Sequence, residues 1–275
     1  MSLPRLERLD LVNRSLAVRR RGDSGPTVVF CHGNSCSSRS FEKQLCGPLG
    51  ERFRLIAIDL PGHGDSPPAA VPDTAYTLPG YADALVAATE ALGAENAVFV
   101  GWSLGGHVLL EASDRLARAA GFLIFGAPPV ASFADFTLAT TGDPALGVAF
   151  REDSTPDDVE RLLSLFLRPG QPVPQVLVDD FRRTDKRARS ALMASAGRNE
   201  LRDEVKVVGE LRRPLAVLHG AQEAIVRREY FDTIAMPTLW RGQVQEVPDA
   251  GHAAQWENPH VFDRLLEEFV ADCSD

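Results

Sequence analysis

The sequence predicts an α/β fold: a mostly parallel central sheet flanked by helices, with a helical lid inserted before the last two strands. Three observations carry that expectation. First, continuous apolar runs recur along the chain: "PTVVFCHG" (26–33), "FRLIAIDLPG" (53–62), "NAVFVGW" (96–102), "GFLIFGAPP" (121–129), "PLAVLHG" (214–220) and "QVQEVPDAGH" (243–252). Runs of this kind suit strands covered on both faces. Second, helical patterns fall between them, which makes βαβ units and a parallel sheet. Third, the alternation breaks between about residues 130 and 210, where no strong strand appears.

The elements follow in order. Residues 5–20 read as two short strands with a turn at Asn13 and Arg14. "LPGYADALVAATEALG" (78–93) is a helix with Pro79 near its start and Gly93 at its stop. Residues 103–120 and 258–273 are also helical. Inside the interruption, "TPDDVERLLSLFLR" (155–168) opens with a good cap and reads as a helix. Residues 173–197 read as one or two more. The expected division is a core of 1–129 and 211–275 with a helical cap at 130–210, over the carboxyl ends of the strands, where open α/β sheets bind ligands.

Composition narrows the function. Of 275 residues, 44% are hydrophobic and 24% charged, which suits one large domain or a core with an insertion. The net charge of -9 repels nucleic acid and anionic membrane surfaces. The one basic cluster, residues 181–198, reads as the solvated face of a helix, with a site for an anionic partner as the alternative. The N-terminus lacks the apolar core of a signal peptide, and no run is long enough for a membrane span. Cys31, Cys36, Cys46 and Cys273 lack the paired spacing of a zinc or redox site. They read as reduced thiols of a cytoplasmic protein. Oligomeric state is not legible.

The chemistry centres on "GWSLGG" (101–106). Ser103 ends a strand and begins a helix. So sharp a turn strains its pivot residue, and small neighbours at Gly101 and Gly105 relieve the crowding. The hydroxyl is pushed out at the top of the sheet, above a helix N-terminus. Serine alone is a poor nucleophile; it needs a base, and the base needs an acid to orient it. Glu223 follows the strand at 214–220, and His252 follows the strand at 243–247. Both fall at carboxyl ends of strands, on the edge that carries Ser103. His32 and His63 read as structural loop or pocket residues rather than bases. His107 is expected to point away, His219 to end a buried strand, and His260 to begin an exposed helix. Asp249 is the competing acid.

An attacked carbonyl becomes an oxyanion and needs donors. The backbone N–H groups of Leu104, after the nucleophile, and Asn34, in the loop after 26–33, are the candidates. The Asn34 side chain either touches substrate or shapes the turn. Phe133, Phe136, Phe150, Leu162, Leu163 and Phe166 either line an acyl channel or hold the lid on the core. Trp102 either walls the pocket or packs under the lid.

The motifs "HGN" (32–34), "DLPGHGDS" (59–66), "GWSLGG" (101–106), "HGAQEAIV" (219–226) and "DAGHA" (249–253) together resemble the α/β-hydrolase superfamily. They span the chain from about residue 26 to its C-terminus. "YTLPGYADAL", "GWSLGGHV", "GAPPVA", "RTDKRAR", "LWRG" and "AGHAAQWENPHVF" are similar to the AidH-type N-acyl homoserine lactonases. That resemblance implies a Glu as the acid, which suits Glu223, and lactone-ring opening without a metal. It also implies a lid tyrosine near the substrate, where this chain offers Leu162 or Leu163. The "HGN" loop is also similar to that of haloalkane dehalogenases, whose Asp nucleophile is not matched by Ser103.

The expected function is therefore a serine hydrolase of an ester or lactone, with N-acyl homoserine lactones as the first substrate class. A carboxylesterase for another small ester is the alternative, and a low-turnover ligand receptor on the same scaffold a third. No metal or organic cofactor is implied. The expected partner is a small molecule.

Overall fold

A computed structural model describes residues 3–274. Eight strands form one sheet: β1 (Leu6–Asp10), β2 (Ser15–Arg21), β3 (Thr27–Cys31), β4 (Arg54–Ile58), β5 (Val98–Trp102), β6 (Gly121–Phe125), β7 (Leu215–Gly220) and β8 (Gln245–Val247). Their order across the sheet is β1-β2-β4-β3-β5-β6-β7-β8. The first hairpin joins β4 antiparallel, and every pair from β4 to β8 is parallel. The expected mostly parallel sheet is present. β5, β6 and β7 are buried along their whole length. Their continuous apolar composition follows from helices covering both faces.

Register sets up the functional edge. Cys31 lies beside Gly101, Trp102 beside Phe125, and Gly220 beside Val247. The carboxyl ends of β3, β5, β6, β7 and β8 therefore finish near one line. Ser103 follows β5 directly, while Asn34, Glu223 and His252 follow β3, β7 and β8 within a few residues.

The helices differ from expectation in their bounds. The helix after β5 spans Leu104–Ala112 and stops well short of residue 120. Ser113 turns its hydroxyl back to the Leu110 carbonyl, a local bond that competes with helix continuation. Residues 173–197 form two helices, Gln175–Arg183 and Arg187–Gly197. They break where Thr184 bonds back to the Asp180 carbonyl and Asp185 accepts the Arg187 N–H. A helix over Glu204–Glu210, too short for a periodicity argument, is capped by Asp203 and packs on Leu104–Ala112. Among the described residues no helix is long and apolar enough to cross a membrane.

Between β6 and β7 the chain is helical, and buried polar groups tie it to the core. Asp180 accepts hydrogen bonds from Ser37 Oγ at 2.6 Å and from Arg39 at 3.1 Å. Arg189 is buried, donates to the Arg151 and Glu152 carbonyls, and lies 4.3 Å over the Phe181 ring. Burial pushes the Asp180 carboxyl up to about 6, with the Ser37 bond and Arg39 pulling the other way. A carboxyl raised on folding favours the protonated native state. Its contribution is full below the unfolded value of 3.8 and is lost as pH rises through about 6. Wild type should therefore lose about 3 kcal/mol relative to Asp180→Asn between pH 4 and pH 7. Denaturant melts across that range check this, and a constant difference between the two proteins would contradict it.

Candidate active site

Ser103 has φ 53 and ψ -118, in the left-handed region that non-glycine residues avoid. The surrounding chain holds it there. Its N–H donates to the Phe125 carbonyl on β6 at 2.9 Å, and its own carbonyl accepts from Gly106 N–H at 2.8 Å, which starts the helix. A Cβ on Gly101 would sit 2.6 Å from the Gly105 carbonyl oxygen. One on Gly105 would sit 2.1 Å from that of Cys31. The expected tight strand-to-helix turn depends on both glycines.

His252 lies in the loop after β8, with its ring buried. Its Nδ1 is 3.0 Å from Glu223 Oε2 and 3.2 Å from Oε1. Glu223 Oε1 also accepts the Ile225 N–H at 2.8 Å. Burial acts to raise the Glu223 carboxyl, but the charge and hydrogen bond of His252 and the Ile225 N–H outweigh it and hold the group below its usual range. A carboxylate can only accept, so Nδ1 carries a proton, and in the neutral ring Nε2 keeps a lone pair. That Nε2 is buried and has no partner among the described residues. The ring stands 5.8 Å from Trp102 and 5.4 Å from Phe166, centroid to centroid.

Ser103 and His252 line one cavity of about 230 Å³. Asn34, Leu104, Phe133, Phe136, Leu162 and Phe166 line it too, as does Phe150. The first turn of a helix leaves its N–H groups without intrahelical partners. Leu104 N–H is such a group, and among the described residues neither it nor Asn34 N–H has an acceptor. The Asn34 side chain donates to the Ala149 carbonyl, so it ties the loop to the helical connection.

Two expectations need correction, those for Trp102 and His107. Trp102 does not line the cavity: it is fully buried beneath Phe166, edge-on at 5.5 Å, and its indole N–H donates to the His252 carbonyl. Strand alternation points this side chain into the packed layer between sheet and connection. Leu163 is buried but is absent from the lining. His107 does not point away: it lines the cavity and pairs with Glu204. Four residues after Ser103, it lies one helical turn on, a spacing legible in the sequence.

Other competitors lie elsewhere. The Asp249 side chain is 74% exposed and faces Arg168 at 3.7 Å. His32 and His63 are buried, and burial pushes them down to about 4 and about 3. His260 is exposed. Gly126, just past β6, was missed. Its φ is +60, and a Cβ there would lie 2.5 Å from His252 Cε1. A glycine at the carboxyl end of a strand was the available clue.

The family model described as "Alpha/beta hydrolase family" matches residues 28–265. A crystal structure of a mutant of the N-acyl homoserine lactonase AidH, complexed with N-hexanoyl homoserine, superimposes with a TM-score of 0.93 at 34% identity, over 98% of both chains. The pimeloyl-[acyl-carrier protein] methyl ester esterase of Xanthomonas campestris pv. campestris is 32% identical over 86% of this chain and 84% of its own length. The 2-(acetamidomethylene)succinate hydrolase of Mesorhizobium japonicum is 27% identical over 96% of this chain and 94% of its own.

Gly126→Ala should displace the His252 ring while leaving the sheet intact. Labelling of Ser103 by a fluorophosphonate should slow about 100-fold, with the melting temperature within a few degrees of wild type. Labelling at the wild-type rate would show that the ring position tolerates the methyl group.

Proposed function

The chain belongs to the alpha/beta hydrolase family, and from that premise we propose that it is a metal-independent serine hydrolase that opens the ring of N-acyl homoserine lactones. The observation that carries the chemistry is the buried His252–Glu223 pair, whose unpartnered Nε2 lines the same apolar cavity as the strained Ser103. The likeness to the lactonase structures supports the substrate class.

In the first step His252 Nε2 takes the Ser103 proton as Oγ bonds to the lactone carbonyl carbon. Glu223 orients the ring and stabilises it as imidazolium. The carbonyl oxygen gains the negative charge, and the N–H groups of Asn34 and Leu104 hold it. The bond to the ring oxygen breaks, and that oxygen takes the proton from His252. It leaves as a hydroxyl still tethered to the acyl group on Ser103. A water then gives His252 a proton and attacks the acyl carbon. The Ser103 oxygen leaves and is reprotonated, and the product is the ring-opened N-acyl homoserine.

Residues 130–210 act as a cap over this site, with Phe133, Phe136, Leu162 and Phe166 bounding the acyl part of the substrate. A second reading, a carboxylesterase for another small ester, is supported by the 32% identical methyl ester esterase. Both readings use the same groups on Ser103. A low-turnover receptor would bind the ligand in the same cavity and label slowly with a fluorophosphonate.

Glu223→Ala should lower kcat by about 10³-fold or more, whereas Asp249→Ala should change it less than about threefold. The reverse ranking in steady-state assays would overturn the assignment of the acid. A medium-chain acyl homoserine lactone incubated with the enzyme should gain the mass of one water with its chain intact, and Ser103→Ala should abolish the gain. Release of free fatty acid would mean amide cleavage. An intact lactone beside a hydrolysed aryl ester would favour the carboxylesterase reading.

A further inference from the structure

Besides Ser103 and His252, one ionisable side chain among the described residues stands on the wall of the cavity. His107 is four residues beyond Ser103 on the same helix face, about 6 Å along the axis. Its Nδ1 is 2.9 Å from both carboxylate oxygens of Glu204. Glu204 is 1% exposed, accepts the Val130 N–H at 3.0 Å, and donates its own N–H to the Val130 carbonyl. The carboxylate is therefore fixed from two sides, and the ring rests 5.2 Å from Phe136.

Among the described residues, the other polar side chains on the wall outside the triad already donate to carbonyls. The Asn34 amide bonds Ala149, and the Thr140 hydroxyl bonds the Phe136 carbonyl. A carboxylate accepts only, so His107 Nδ1 holds a proton, and in the neutral ring Nε2 offers a lone pair. Among the described residues no donor reaches that nitrogen. A buried imidazole with a fixed tautomer, facing an apolar cavity, is built to accept one hydrogen bond.

We propose that His107 is a specificity residue whose Nε2 accepts a hydrogen bond from an N–H on the carbon next to the scissile carbonyl. The inference rests on the reading that Ser103 attacks a carbonyl in this cavity. Such a nitrogen is two bonds from the attacked carbon. A hydrogen bond of about 3 Å then reaches a group one helical turn from the nucleophile. An ester oxygen in place of the N–H would set lone pair against lone pair, and a site built around a donor rejects the analogue that lacks it.

The test compares kcat/KM for the p-nitrophenyl esters of N-hexanoylglycine and hexanoyloxyacetic acid, each divided by its rate with hydroxide. Both are activated esters, so the comparison does not depend on lactone hydrolysis. Wild type should prefer the amide by about tenfold or more. The double variant H107F/E204Q, which leaves no bare buried carboxylate, should bring the ratio close to one by slowing only the amide. His107→Gln keeps a carbonyl acceptor and should retain part of the preference, which keeps the test readable if the double variant does not fold. A wild-type ratio near one, or equal losses on both esters, would overturn the proposal and leave His107 as a packing anchor. The corresponding lactones, N-hexanoyl homoserine lactone and α-hexanoyloxy-γ-butyrolactone, separate the two readings. If the aryl pair gives the expected ratio and both lactones survive, the lactonase reading falls and the role of His107 stands.

Discussion

The backbone of Ser103 is held in a conformation that serine resists, and the rest of the site is arranged around that constraint. A left-handed residue between strand and helix costs about 1–2 kcal/mol. It persists because β6 takes its N–H, the first helical turn takes its carbonyl, and two glycines let the backbones meet. In return Ser103 stands at the end of the sheet on the wall of an apolar cavity. Straightening the turn would return the side chain to the alternation of β5 and bury it.

The proposed base, His252, depends on the same edge. His252 comes from a loop after the short strand β8, so little regular structure positions it. Its place is set by neighbours. Gly126 leaves room for the ring, Glu223 holds Nδ1, and the Trp102 indole holds its carbonyl. Phe166 closes the remaining side, and its carbonyl accepts the Ala253 N–H at 2.7 Å. The helical connection therefore touches the His252 ring directly. The ties of Asp180 to Ser37 and Arg39 secure that connection to the loop bearing Asn34.

Most of the fold was legible because the parallel strands are continuous apolar runs and the turns carry glycine and proline. Ser103, Glu223 and His252 stood out because each ends a strand on one edge, and the structure brings them to one place. What escaped the sequence was side-chain direction. Trp102 and Phe166 are equally aromatic, yet one is packed beneath the cavity and the other lines it. Periodicity cannot separate two apolar environments stacked on each other. His107 was misjudged because its partner, Glu204, lies in a helix of seven residues, too short to read. Gly126 was passed over because the close approach it permits is made to a residue distant in the chain. The two-helix break at Thr184–Lys186 arises from hydrogen bonds of Thr184 and Asp185, which a periodicity argument does not register.

The central claim is that the Ser103 oxygen becomes covalently acylated. The most direct measurement is rapid acid quenching during turnover of an aryl ester, followed by intact-protein mass and peptide mapping. One acyl group on the peptide containing Ser103, absent in Ser103→Ala, is the predicted result. Turnover with no adduct in wild type at any quench time, or an adduct on another residue that survives Ser103→Ala, would contradict the account.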